Sequence, residues 1–180
     1  MNNSPNEGWV DNITADEVRG VWDGELRPVA ATLVSPDVSP STRQFLTEVG
    51  LPTWGYSELI TFLPDERLLR PVIVVGVEYH ALAEESGGPV AVKSHTDEVW
   101  ALDTAGSGRP LFVNTHPGFL VLFLGILLPL IDQLRNREPA EVNARIDELA
   151  ARFAAHDAPA LADPDSWWPN VLVSAREGFL

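Results

Sequence analysis

The sequence predicts an α+β fold, a single domain in which a central, mainly antiparallel β-sheet is flanked by helices. Three observations carry this reading. Helical patterns lie toward both ends of the chain, closely spaced strand patterns fill its middle, and the turn clusters between those strands leave no room for crossover helices. With 180 residues, 45% of them hydrophobic, the chain holds enough apolar material for one full core. The domain is therefore drawn over residues 1–180, with 1–12 as a flexible N-terminus.

In chain order, Thr14-Ala15-Asp16-Glu17 reads as a capping box, so a short helix is expected from there to Val21. Pro28 and Pro36 predict an extended link from Asp23 to Val38. Ser39 and Pro40 suit a helix start and Gly50 a left-handed stop, with Phe45, Leu46 and Val49 as the apolar face between them. Leu51-Pro52 ends that helix, and the aromatic-rich stretch from Trp54 to Phe62 is expected to be the first strand. The β-branched run Val72 to Val77 predicts the central strand, buried on both faces. Shorter strands are expected at Tyr79–Leu82, Val90–Lys93, Val99–Leu102 and Leu111–Val113, separated by turns at 84–89, 94–97 and 104–109.

Pro117 then opens a helix, capped by Asn114 or Thr115, that contains the most apolar run of the chain, Phe119 to Ile131. That run falls short of the roughly 20 residues that span a bilayer, so it reads as a core helix. Val142, Ile146, Leu149 and Phe153 recur at spacings of four and three, which predicts a helix from Pro139 to His156 with one stripe facing the core. The tail around Trp167-Trp168 is expected to dock as a terminal helix or loop.

Composition narrows the function. The absence of cysteine removes disulfides, thiolate nucleophiles and cysteine metal sites, and suits a reducing compartment. The polar, acidic opening from Met1 to Asp16 has neither the basic start nor the apolar stretch of a secretion signal, so a cytoplasmic protein is expected. A net charge of -14 disfavours binding to nucleic acid and to anionic membranes, and speeds the encounter with a basic protein.

Catalytic patterns are weak. Ala105-Gly106-Ser107-Gly108 lacks the first glycine of a nucleophile elbow and reads as a turn, and neither familiar phosphate-binding motif occurs. His80, His95, His116 and His156 stand singly, without the spacing that sets two ligands on one helix face, so neither metal nor cofactor is expected. Asp65-Glu66, Glu84-Glu85, Asp97-Glu98 and Asp147-Glu148 fall in turns or on polar faces, where solvated charge is the default. Acidic loops grouped beside one sheet would form a negative face for a basic partner. Trp22, Trp54 and Trp100 are expected in the core. Trp167 and Trp168 are adjacent and, on any regular element, cannot both face inward; one is expected to contact a partner or lie as a lid over the sheet.

Taken together, Arg43 to Pro52 (RQFLTEVGLP), the Val74-Val75-Gly76 strand, the Val99-Trp100-Ala101-Leu102-Asp103 strand, Phe112-Val113-Asn114 before an apolar helix, and Trp167-Trp168 resemble, in that order, the fourth immunity family of the SUKH superfamily. The run Leu120 to Leu130 departs from it in being more apolar, and Pro129 is expected to shorten that helix. The resemblance implies a SUKH-like α+β fold without catalytic activity, and a role in binding and neutralising a cognate bacterial toxin, such toxins often being nucleases or deaminases. Partner contacts are then expected from Glu84, Glu85, Asp97, Glu98 and Trp168, by occlusion of the toxin's basic surface. Two other readings stand beside it: an adaptor or ligand-binding domain unconnected with toxins, and a small hydrolase using His95 and Asp97.

Overall fold

The computed structural model describes residues 13–55, 59–103 and 109–180. The expected flexible N-terminus at 1–12, Tyr56 within the expected first strand, and the glycine-serine turn at 104–108 lie outside them. The rest forms a mixed α+β structure built on a six-stranded antiparallel sheet.

Helix α1 (Ala15–Trp22) opens on the expected capping box: Thr14 Oγ1 accepts from the Glu17 amide while the Glu17 carboxylate accepts from the Thr14 amide at 2.8 Å. Helix α2 (Pro40–Glu48) begins at Ser39, whose hydroxyl accepts from the Thr42 amide, and its end is marked by Gly50 at φ +91°. A Cβ at Gly50 would lie 1.9 Å from the carbonyl oxygen of Arg27, so the glycine serves both the turn and a close backbone approach. That approach sits beside a small ribbon in which β1 (Leu26–Arg27) pairs with β2 (Leu51–Pro52).

The main sheet contains β3 (Thr61–Phe62), β4 (Pro71–Val74), β5 (Val77–Glu85), β6 (Gly88–Lys93), β7 (Val99–Ala101) and β8 (Leu111–Asn114). Its order is β3-β5-β6-β7-β8, with β4 also pairing with β5, so the expected antiparallel meander is present. The expected central strand differs. The run Val72 to Val77 is broken by a turn at Val75 and Gly76, and β4 pairs with β5 alone, its residues alternating between exposed and half-buried. Strand β5 is instead the strand paired on both sides next to that edge, and it runs from Val77 to Glu85, further than the expected Tyr79–Leu82, because β3 and β4 share its one side while β6 covers the other. Of the expected first strand, Thr61–Phe62 pairs with β5 and Ile60 forms an isolated bridge, while 56–58 lie outside the described residues.

Helix α3 (Pro117–Leu134) runs through Pro129 without stopping. Proline inside a helix costs about 3 kcal/mol, but Pro129 faces solvent while Leu127, Leu128 and Ile131 around it are buried, and that burial offsets the lost hydrogen bond. The N-cap is His116 rather than Asn114 or Thr115. Helices α4 (Pro139–His156), α5 (Pro159–Ala162) and α6 (Trp167–Glu177) complete the chain, and the predicted stripe Val142, Ile146, Leu149, Phe153 is buried.

The helices cover one face of the sheet. Val90, Val92, Val99, Ala101 and Val113 meet α3 and its neighbours there in one continuous apolar cluster. At its heart Phe123 stacks on Phe153 with ring centroids 3.8 Å apart, and Trp168 meets both rings edge-on. Trp168 is 0% exposed, which removes it from the partner contacts expected from the sequence. Trp167 is buried too, because successive residues in the first turn of α6 point about 100° apart: Trp168 enters the core while Trp167 reaches the end of β5 and donates to Glu85 at 2.8 Å. Of the three tryptophans expected inside, Trp22 is buried, Trp54 is exposed and Trp100 is half-exposed.

The buried Asp157, at the end of α4, binds this core to the sheet. Its carboxylate accepts from Asn114 Nδ2 at 2.9 Å, from the Thr115 amide at 3.0 Å and from Thr115 Oγ1 at 3.0 Å, and Asn114 Oδ1 accepts in turn from Trp168 Nε1 at 2.9 Å. Asp157→Ala is expected to lower unfolding stability by about 3 kcal/mol in urea titration, since it strands several buried donors at once. Gly125→Ala is expected to destabilise by about 2 kcal/mol despite its better helix propensity, because the added Cβ falls 2.6 Å from both Trp22 Nε1 and Val21 Cγ2.

Candidate functional site

The face of the sheet opposite the helices is the candidate. Alternation along the strands sends Val99 and Ala101 into the core and Trp100 outward, and the register sets Trp100 opposite Ala91 on one side and Phe112 on the other. Trp100 and Phe112 pack edge to face at 5.3 Å. Tyr79, Ala91 and Leu102, with Val72, Val74 and Trp100 packed against them, form a second apolar cluster separate from the main core.

One charged pair borders it. Lys93 Nζ lies 3.0 Å from Glu98 Oε2, which also accepts from Trp100 Nε1 at 3.3 Å. Tyr79, register partner of Lys93, has its phenol pushed above the usual range, chiefly by burial, with Lys93 pulling it down and Glu98 pushing it up.

The β4–β5 hairpin extends the same surface. Its two turn residues, Val75 and Gly76, both have positive φ, +50° and +77°, as a type I′ turn requires. Asparagine or glycine adopts this conformation readily, whereas a β-branched residue is strained in it. Val75 is nevertheless there, 92% exposed, while Ile73, 71% exposed, turns to the opposite side of β4 from Val72 and Val74.

The residues singled out from the sequence do not form one patch. Glu84 is ion-paired with Arg67, and Glu85, whose carboxyl is pushed up by burial against the pull of the Trp167 hydrogen bond, faces α6. They lie at the far end of β5 from the β6–β7 turn that carries Asp97 and Glu98, roughly 20 Å away at strand rise. Asp97 accepts from Ser39 Oγ and, at 2.7 Å, from Thr42 Oγ1, so its carboxylate ties the sheet to the start of α2. Glu98 alone borders the open face. Tyr79, Trp100, Phe112 and Val75, which line this face and its hairpin, were not among the residues singled out from the sequence; the in-and-out alternation of Val99-Trp100-Ala101 was the available signal.

The hydrolase pairing is not assembled. His95 is exposed at φ +63°, and its amide donates to the Asp37 carbonyl at 2.7 Å, whereas the imidazole nearest Asp97 is that of His116, at 4.0 Å. Two surface clefts of about 350 and 300 Å³ lie against α3 and α4, and neither His95 nor Asp97 lines them.

Ser41, His116 and Asp97 do adjoin, the residue types of an acyl-transfer triad, but in the wrong order. Both Ser41 Oγ, at 3.1 Å, and Asp97 face Nε2, while Nδ1 accepts from the Gly118 amide at 3.0 Å. A triad needs the carboxylate on a protonated Nδ1 and a bare Nε2 toward the hydroxyl. Here the amide donor makes Nδ1 the acceptor and puts the ring proton on Nε2, so His116 cannot take the proton of Ser41. Burial drives its pKa down to about 4, against the opposing pull of Asp97 and a backbone hydrogen bond with Ser41, and the neutral ring caps α3.

An α+β domain with helices on one side of its sheet and an aromatic face on the other has the build of a binding module. The model of the SUKH-4 immunity protein family matches residues 24–174, and the chain belongs to that family. The match reaches beyond the Arg43–Trp168 span of the sequence resemblance, taking in β1 and most of α6. No curated protein and no solved structure matched the chain.

The buried His116 has a pH consequence. Its folded pKa lies below the unfolded value near 6.5, so its contribution is intact above that pH and is lost as pH falls toward about 4, where the unfolded ring binds a proton that the folded ring refuses. Urea unfolding of the wild type is expected to lose about 1.4 kcal/mol per pH unit through that window relative to His116→Gln, whose curve lacks this component.

Proposed function

We propose that the chain neutralises a cognate bacterial toxin by binding it through the open sheet face and the β4–β5 hairpin, covering the toxin's active or substrate-binding surface. The observation that carries this reading is the half-exposed Trp100–Phe112 pair on the open face, with Tyr79, Val72 and Val74 continuing that apolar face toward the hairpin that ends in exposed Val75, on a chain of net charge -14. Family membership supports a toxin as the partner. Interface energy concentrates in a few desolvated anchors, tryptophan prominent among them. A valine held exposed in a strained turn adds nothing to the chain's own packing, which is the pattern of a residue kept for contact.

The charge suits a toxin with a basic surface, such as a nuclease or deaminase that handles nucleic acid. Glu98 rims the aromatic pair, whereas Glu84, Glu85 and Asp97 act through the long-range field. The chain inhibits without turnover or cofactor, in the cytoplasm of the cell it protects.

The test is co-purification with the product of the adjacent gene and growth of cells expressing that product with and without this chain. A salt-sensitive complex and rescued growth are expected. Trp100→Ala and Val75→Asp should each weaken binding by about 2 kcal/mol, roughly thirtyfold, and impair rescue, while Glu84→Gln leaves both nearly unchanged. A complex indifferent to both face substitutions would move the interface elsewhere. No complex and no rescue would favour the adaptor or ligand-binding reading.

A further inference from the structure

A second cluster lies where the loop before α2, the start of β5 and the β6–β7 turn meet. His80, on β5, is 2% exposed, and its Nε2 lies 3.0 Å from Ser94 Oγ and 3.7 Å from Glu78 Oε1. Its Nδ1 is buried without a hydrogen-bond partner, the one such side-chain atom among the described residues. Asp37 approaches from the loop, and the ligand atoms of Asp37, Glu78 and His80 all lie within 4.8 Å of one another.

The backbone holds these segments together independently of any ion. The His95 amide donates to the Asp37 carbonyl at 2.7 Å, and the Ser94 amide to the Glu78 carbonyl at 3.0 Å. Among the described residues neither carboxylate meets a lysine or arginine; the Asp37 carboxylate accepts from the Ser35 hydroxyl at 3.4 Å. The two carboxylates therefore stand together without a cation in a chain that is already strongly acidic.

The two buried imidazoles differ in a way that matters. A backbone amide locks the tautomer of His116, whereas His80 meets only the Ser94 hydroxyl, which donates or accepts as required, and nothing at Nδ1. No backbone amide fixes the tautomer of His80, so it is able to present a lone pair at Nε2, the nitrogen that lies toward Glu78.

We propose that Asp37, Glu78 and His80 form a site for one divalent first-row transition-metal ion, zinc being the best fit. Imidazole selects zinc, cobalt or nickel over magnesium and calcium, and two carboxylates balance the dication. Zinc holds oxygen and nitrogen ligands at about 2.0–2.2 Å, which sets ligand atoms about 3.4 Å apart in a tetrahedron. The closure needed is on the order of an ångström. Glu78, its side chain 44% exposed, and the half-buried Asp37 supply it by rotation while His80 stays fixed, leaving the fourth position to water on the solvent side. The bound ion would clamp the loop leading into α2 onto the sheet. In sequence Glu78 and His80 stand two apart, but Asp37 lies about forty positions before them, so the three form no motif.

The full chain, stripped with EDTA, is titrated with zinc chloride and separately with magnesium chloride, followed by calorimetry and thermal unfolding. Cobalt substitution gives a spectroscopic readout of the ligand set. Expected are one equivalent of zinc bound, a raised Tm, no response to magnesium, and a tetrahedral cobalt absorption band. The double variant Asp37→Asn/Glu78→Gln, isosteric and confined to accessible side chains, should keep the fold by circular dichroism and bind zinc weaker by roughly tenfold or more. His95→Ala/His156→Ala should leave zinc binding unchanged. Absence of zinc binding, or binding equal in the double variant, overturns the proposal, and so does loss of binding in the histidine pair alone.

Discussion

The carboxylate of Asp157 is the constraint on which the arrangement of this protein turns. It is buried and held by donors on Asn114 and Thr115, and Asn114 relays the connection to Trp168. Four elements are joined through it: the end of β8, the end of α4, the start of α6 and, since His116 and Pro117 follow directly, the start of α3. Buried polar groups require specific geometry because they are costly when unmet. Apolar packing alone tolerates sliding, so it is this network that sets the register between the sheet edge and the helical layer. The Phe123–Phe153 stack and the Trp168 ring then fill the space that the network defines.

With every large helix on one side, the sheet is left with an outer face that would ordinarily be polar. Instead it carries aromatic and β-branched residues, half-covered by one another and edged by Lys93 and Glu98. Such a face is the feature of the fold that its internal packing does not require, and it continues onto a hairpin tip whose valine works against local backbone preference. Membership of the SUKH-4 immunity family gives both features a common context.

Much of the fold was legible where the signals are local. Thr14 with Glu17, Ser39 with Pro40, and the stripe from Val142 to Phe153 mark helices through contacts within a few residues, and their boundaries came out as expected. The run Val72 to Val77 misled because apolar composition cannot tell a buried strand from an exposed hairpin; the two-residue turn and the single pairing partner decide that. Among the candidate site residues, Asp97 and Trp168 were assigned to the surface by residue type and neighbours, yet one ties the sheet to α2 and the other fills the core.

By itself the sequence determined the α+β class, the antiparallel meander, the helix starts, the charge and the family resemblance, because each rests on local periodicity, capping chemistry, composition or the order of short segments. Only the tertiary structure decided which side of the sheet the helices cover, which tryptophans are buried, which imidazole meets Asp97, and that Asp37, Glu78 and His80 converge. Those outcomes depend on contacts between residues tens of positions apart, whose direction is set by strand register and helix packing, and neither is written in the spacing of the residues themselves.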